Sequence, residues 1–94
     1  RIYRVVRGEL DLLLVRDAGG NTRMILGMAD DGPAITMLDA KGKLRANIGV
    51  TDRGPELDFL DATETSRVQI LLDENQVPHL NLLDNKGVQV SFRP

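Results

Sequence analysis

The stretch "LDAKGKLRANIGV" at residues 38–50 carries the two signals that decide the fold, a turn and a strand. Asp39 and, three positions later, Gly42 are typical of a tight turn in which the carboxylate caps backbone N–H groups and glycine takes a positive φ. After the turn, apolar residues alternate along the chain up to Val50, a period of two that indicates a strand with one buried face. The stretch therefore predicts the corner of a β-hairpin and not a catalytic site.

The same pattern recurs along the chain in four units. Two columns of residues repeat at intervals of 22: Asp17, Asp39 and Asp61, and Arg23, Arg45 and Arg67. Asp84 follows Asp61 by 23 residues, so we place one inserted residue near "QVP" at 76–78. A second turn signal closes the first three units: "DDGP" at 30–33, "DRGP" at 52–55 and a degraded form, "DENQVP", at 73–78. Such a period indicates a repeat architecture.

Turns at this spacing, joined by alternating segments, predict an all-β fold. We expect one domain, residues 1–94, built as an antiparallel β-meander of about four 22-residue hairpin repeats. The sheet would be either open and packed in an oligomer, or closed into a barrel. The predicted strands, roughly eight, lie close to 10–16, 22–28, 34–39, 43–50, 56–60, 66–72, 79–83 and 88–92.

Alternation assigns the strand residues to two faces. The predicted inward columns are Thr22, Met24, Leu26 and Met28, then Leu44, Ala46, Ile48 and Val50, then Ser66, Val68, Ile70 and Leu72, with Leu13, Val15, Ile35, Met37, Leu57, Phe59, Leu80 and Leu82 from the other strands. The outward face is not cleanly polar, which predicts that another copy of the chain covers it. The predicted interface residues are Leu14, Ile25, Leu38, Leu60, Leu71 and Leu83.

Composition excludes several classes of protein. Three aromatic residues and a net charge of −2 with mixed signs argue against a nucleic-acid surface. The absence of cysteine excludes disulfides and thiolate metal sites. Apolar runs are far shorter than the ~20 residues that span a bilayer, so we expect no membrane-spanning segment and no membrane as a partner of these residues. Because the chain begins at Arg1, we expect it to be a processed piece.

Few residues are candidates for metal binding or catalysis. "DDG" at 30–32 is the best candidate for calcium, but the EF-hand spacing is absent. His79 is the single histidine, and its column predicts a surface position on the outward face. Ser66 and Ser91 lack a nearby base other than His79. We therefore expect no catalytic residues, no cofactor and no metal.

Two stretches, "MLDAKGKLRANIGVTDRG" at 37–54 and "RDAGGNTRMILGMADDG" at 16–32, are the best and second-best matches to the repeat L-x-D-x-x-G-x-x-R-x-x-L/I-G. In this the chain resembles a set of uncharacterised bacterial proteins built on such repeats of about 22 residues. The resemblance covers about two thirds of the chain and departs from the pattern at Glu64, Leu71 and Val90. It implies a β-hairpin repeat and a bacterial source, and it implies no activity and no site residues.

Two functions fit these patterns. The first is a non-enzymatic structural or protein-interaction module that self-associates through its repeated sheets. The alternative is a small β-barrel that binds an apolar ligand against Met24, Met28 and Met37.

The repeat also predicts that Glu64 occupies the left-handed turn position that Gly20, Gly42 and Gly87 take in other units, so that Glu64→Gly would stabilise the fold.

Overall fold

The chain forms a single antiparallel sheet of nine strands over the residues that the structure describes. The computed structural model describes the backbone of residues 2–7, 10–86 and 89–92 and the side chains of 12–86. Each strand pairs with the next strand along the chain, so the spatial order is the sequence order. The strands are β1 (Ile2–Arg7), β2 (Leu10–Arg16), β3 (Thr22–Ala29), β4 (Gly32–Leu38), β5 (Leu44–Thr51), β6 (Gly54–Leu60), β7 (Ser66–Leu72), β8 (Pro78–Leu83) and β9 (Gln89–Phe92).

The predicted meander is confirmed, and the sheet is open. Within the described residues β1 pairs with β2 and β9 pairs with β8, so the two end strands do not meet to close a barrel. The sequence missed β1, since "IYRVVR" at 2–7 neither alternates cleanly nor carries the repeated turn signals. No helix occurs among the described residues, and so none that is long and apolar enough to cross a membrane.

The Asp turns have the geometry that their sequence predicts. In the turn at 39–42 the Gly42 N–H donates to the Asp39 carbonyl at 3.0 Å, and Gly42 has a φ of 83°. The Asp39 carboxylate accepts the N–H groups of Lys41 at 2.9 Å and Lys43 at 3.0 Å. The turns at 17–20 and 61–64 repeat this pattern, with φ values of 86° at Gly20 and 64° at Glu64. The predicted left-handed position of Glu64 is therefore confirmed, whereas Gly87 lies outside the described residues.

The alternate turns, at the opposite ends of the strands, are shorter. The pairs Ala29 with Gly32 and Thr51 with Gly54 close loops of two residues each. Gly32 has a φ of 145°, and a Cβ there would overlap the carbonyl oxygen of Val50 on β5. Gly54 has a φ of 143°, and a Cβ there would lie 2.8 Å from the carbonyl oxygen of Leu72. These glycines thus begin β4 and β6 because the neighbouring backbone leaves no room for a side chain.

The third of these turns differs from the sequence prediction. The sequence groups "DENQVP" with "DDGP" and "DRGP", but here the Gln76 N–H donates to the Asp73 carbonyl at 2.9 Å and the Asp73 N–H donates to the Val77 carbonyl at 3.0 Å. Gln76 has a φ of 67°, so 73–76 is an Asp turn without glycine. The longer turn accommodates the one inserted residue that the repeat spacing predicts.

Three bulges change which face some residues occupy. The register shifts between Val15 and Arg16, Met37 and Leu38, and Phe59 and Leu60, each just before an Asp turn. Ser66 consequently pairs with Leu60, and its hydroxyl donates to Asp58 at 2.9 Å. The prediction that Ser66 belongs to the inward column is wrong, because uninterrupted alternation ignores the extra residue of a bulge. At the equivalent bulges Leu44 pairs with Leu38 and Thr22 with Arg16, so the assignment of these two residues to the inward column is wrong for the same reason.

The two glycine classes predict different costs for the same substitution. At Gly42 an added Cβ meets no atom within 4 Å, so Gly42→Ala should cost about 1 kcal/mol for the positive φ alone. Gly32→Ala must also displace the β5 backbone and should cost about 3 kcal/mol or more. Chemical denaturation at one protein concentration measures both, and equal costs would contradict the close approach at Gly32.

The two turns that place a bulky residue at a positive φ provide a second matched pair. Gln76→Gly should stabilise by about 0.5 kcal/mol, since relief of backbone strain exceeds the entropy that glycine adds to the unfolded chain. Glu64→Gly should gain less than the sequence alone suggests. Its carboxylate accepts the Leu44 N–H at 2.9 Å, a hydrogen bond worth ~0.5–1.5 kcal/mol. Denaturation midpoints of the two variants show which one gains more stability. A larger gain for Glu64→Gly than for Gln76→Gly would contradict a role for this hydrogen bond.

Candidate interaction surface

One face of the sheet from β3 to β8 is entirely apolar, and we call it the apolar face. Each of these six strands contributes three residues to it, eighteen in all, and none is charged or hydroxylated. The residues are Met24, Leu26, Met28, Pro33, Ile35, Met37, Ala46, Ile48, Val50, Pro55, Leu57, Phe59, Val68, Ile70, Leu72, Pro78, Leu80 and Leu82.

Strand register aligns the apolar face into rows that cross the sheet. Leu26 pairs with Ile35, Ile35 with Ile48, and Ile48 with Leu57, and the row continues through Ile70 to Leu80. The parallel row runs from Met24 to Leu82 and includes Phe59. Directly opposed apolar pairs stabilise the neighbouring strands. The rows also make the face continuous across all six strands.

The apolar face is open in the single chain. No side chain among residues 12–86 is buried, and every large hydrophobic side chain that is exposed belongs to the apolar face. Phe59 and Ile48 are each 44% exposed at the centre of the sheet. Apart from the residues at the bulges, the columns that the sequence assigns inward thus share a face over β3 to β8, as predicted, and nothing in the described chain covers them. The exposed set is Met28, Met37, Ile48, Val50, Phe59, Ile70 and Leu82.

The opposite face, which we call the polar face, carries a row of hydrogen-bonding side chains. Thr36 donates through its hydroxyl to the Asn47 amide oxygen at 3.0 Å, and on the other side of the row Asn81 donates to Gln69 at 3.4 Å. Asp58 lies between these pairs in the same row and accepts the Ser66 hydroxyl. These side chains are half-buried and satisfy one another, so the centre of the polar face does not need a covering layer.

The six residues proposed as an interface from the sequence all lie in strands and are half-buried. Leu14 pairs with Ile25 in β2 and β3, and Leu71 pairs with His79 in β7 and β8. The others are the last residues of their strands and precede an Asp turn: Leu38, Leu60 and Leu83. The largest exposed apolar surfaces are found on the other face.

A ladder of ion pairs crosses the sheet at one end of its strands. We call this side of the sheet the Arg edge; it contains the turns 17–20, 39–42, 61–64 and 84–86 with their arginines. Arg45 pairs with Asp39 at 3.3 Å and donates through Nε to the Leu60 carbonyl at 2.9 Å. The same two contacts recur for Arg23, which pairs with Asp17 at 3.5 Å and donates to the Leu38 carbonyl. Each arginine therefore connects its own turn to the strand that leads into the next turn. The third is Arg67, with Asp61 at 2.8 Å and the Leu83 carbonyl.

Hydrogen bonds at the turns favour the ionised form of each aspartate. The Thr63 hydroxyl and then the Arg67 guanidinium hold the pKa of Asp61 well below its usual range. The Lys43 backbone N–H likewise lowers the pKa of Asp39, and the Asn21 backbone N–H that of Asp17. These shifts have a structural cause in every case, so they do not indicate a catalytic acid.

His79 takes the place of an arginine at the opposite edge. The sequence predicts that His79 shares a column with Ala34 and Glu56. The strand register confirms this, since one row of paired residues runs from Ala34 through Glu56 and Leu71 to His79. Its Nε2 lies 2.8 Å from a carboxylate oxygen of Asp73. The His79 side chain lies on the outward face, as predicted, and is half-buried at 19% exposure because of this contact. This hydrogen bond is the first cause of the lowered pKa of Asp73.

The second edge, which we call the acid edge, contains the turns 30–31, 52–53 and 73–76. Asp30 and Asp31, the calcium candidates from the sequence, are exposed turn residues. Among the residues that the structure describes, no three histidine or carboxylate side chains are grouped to hold a metal ion. These three turns carry five carboxylates and one guanidinium, that of Arg53; the carboxylates are Asp30, Asp31, Asp52, Asp73 and Glu74.

The chain matches no protein-family model and no curated protein. The apolar face is therefore interpreted from its own geometry. Alternation in the sequence identified its members except Pro33, Pro55 and Pro78, but the sequence contained no signal that the face stays uncovered.

The lowered aspartate pKa values predict a loss of stability in acid. Above the ordinary aspartate pKa of 3.8 the turn carboxylates are ionised and hydrogen-bonded. As the pH falls below this value the unfolded chain takes up protons before the folded chain does, so unfolding becomes favoured. Asp61→Asn should lower the thermal midpoint at neutral pH and make the acid loss shallower.

Thermal midpoints from pH 7 to 2 test this, with Asp52→Asn, which lies in a two-residue turn and not in an Asp turn, as the control. An acid profile of Asp61→Asn that coincides with that of the unsubstituted chain would contradict the role of this carboxylate.

Proposed function

We propose that this chain is a non-enzymatic structural or protein-interaction module that self-associates through its sheet. The observation that carries this proposal is an uncharged apolar face of eighteen residues in a single-layer sheet without buried side chains among residues 12–86. A monomer of this form would expose the surface that should drive its folding.

The energetics of folding support association. Ordering each residue costs roughly 1–2 kcal/mol of conformational entropy, which soluble domains offset mainly by burying apolar side chains. Here Val50 is 51% exposed and Ile70 is 45% exposed although both lie in the interior of strands. Covering these side chains would supply the burial that the single sheet lacks.

The polar chemistry of the described chain supports a structural role. Turn carboxylates bind the arginines of the Arg edge and His79, and Ser66 donates to Asp58; these arginines are Arg23, Arg45 and Arg67. Each of these side chains already has a partner within the sheet. A nucleophile paired with a base would need a different arrangement.

The barrel alternative has less support. A ligand-binding barrel needs end strands that pair, whereas the described sheet is open. The concavity lined by Leu26, Ile35 and Ile48 opens to solvent and does not enclose a ligand. No observation therefore favours this second function.

Self-association is tested by size-exclusion chromatography with light scattering. At micromolar concentration we expect a mass that is an integral multiple of 10.4 kDa, and dilution below the dissociation constant should lower it. A monomer over the whole concentration range would contradict the proposed function.

A further inference from the structure

We propose that two copies of this chain pack their apolar faces together as a two-sheet sandwich, with the Arg edge of each copy over the acid edge of the other. This inference rests on the proposed self-association and assigns the surface and the orientation. It places the interface on the apolar face and not on the leucines of the polar face.

The size of the face fits a dimer. The molecule extends over 40 × 30 Å in its two long dimensions. One face of such a sheet offers on the order of 1,000 Å², and a stable protein interface buries about 800 Å² on each partner. Nearly complete overlap of the two faces is therefore needed. Because β5 lies next to the middle of the six strands of the apolar face, nearly complete overlap places β5 against or beside β5 of the second copy.

The chemistry of the face fits a second copy. Its residues offer no charge and no hydroxyl group to select a polar partner, and a surface of the same kind buries all of it without leaving a polar group unpaired. Two identical sheets also have the same twist, which lets them pack with strands within about 30° of each other and about 10 Å apart.

Two apolar faces can overlap through a two-fold axis that runs either along the strands or across them. The charges of the Arg edge and the acid edge, which form the rim of the interface, favour one of these two axes. A two-fold axis along the strands would set the acid edge of one copy over the acid edge of the other. An axis across the strands sets it over the Arg edge, which carries more positive side chains than negative ones: Arg23, Arg45, Arg67, Lys41, Lys43 and Lys86 against Asp17, Asp39, Asp61, Asp84 and Glu64. Rim charges contribute little affinity but do fix orientation. The second axis avoids repulsion between the five carboxylates of each acid edge.

The absence of cysteine from the chain allows a direct test by single-site cross-linking. Ile48 and Asn47 are adjacent in β5 but point to opposite faces, so Ile48→Cys and Asn47→Cys are matched variants. With a short bis-maleimide, Ile48→Cys should give a covalent dimer and Asn47→Cys should give at least tenfold less. Both variants are first shown to keep the β-sheet circular-dichroism spectrum and the assembled mass.

Orientation is tested with two exposed turn positions. Asp31 lies on the acid edge and Lys41 on the Arg edge. A mixture of Asp31→Cys and Lys41→Cys chains should cross-link between the two variants in preference to either variant with itself. Preferential Asp31→Cys homodimers would overturn the proposed orientation.

The remaining outcomes separate this inference from the proposed function. An assembled chain that cross-links through Asn47→Cys and not Ile48→Cys would place the interface on the polar face and overturn the inference while self-association stands. An assembled chain that cross-links at neither position would indicate pairing through strand edges, with the same consequence. A monomer in light scattering would overturn both.

Discussion

The hydrogen bonds from turn N–H groups to a single aspartate carboxylate are the interaction on which the rest of this structure depends. Asp39 accepts two such bonds within its own turn and holds Arg45 with its second oxygen. This arrangement fixes where β4 ends and β5 begins. Because side chains alternate with a period of two, a slip of one residue would exchange the two faces of the sheet. The turn carboxylates thus determine that eighteen apolar residues share one face.

The repeat explains how much of the fold could be predicted. The 22-residue spacing of aspartates and arginines located eight strands, and the rule that glycine follows Asp by three positions identified the positive φ at Gly20, Gly42 and Glu64. These are local properties, in which a few neighbouring residues determine the backbone. The inserted residue was placed near 76–78, and the turn that accommodates it spans 73–76.

What the sequence could not supply depends on contacts between units. The bulges that move Ser66 beside Asp58 arise from pairing with the preceding strand, and strict alternation does not record them. The hydrogen bond from Leu44 to Glu64 joins residues twenty positions apart, and it reduces the stability that a glycine at 64 is expected to gain. The uncovered state of the apolar face is likewise a property of the whole sheet, since alternation shows which residues share a face but not whether anything lies on it.

The strictly sequential strand order has a consequence for how the chain folds. Over the described residues, the strands that touch are always neighbours in sequence. No long loop has to close before a strand finds its partner, so the entropy of loop closure is small at every step. Folding can begin at any hairpin and extend outward one strand at a time, as in a one-dimensional array. Cooperativity then depends on the coupling between adjacent hairpins, which the arginine ladder provides at one edge.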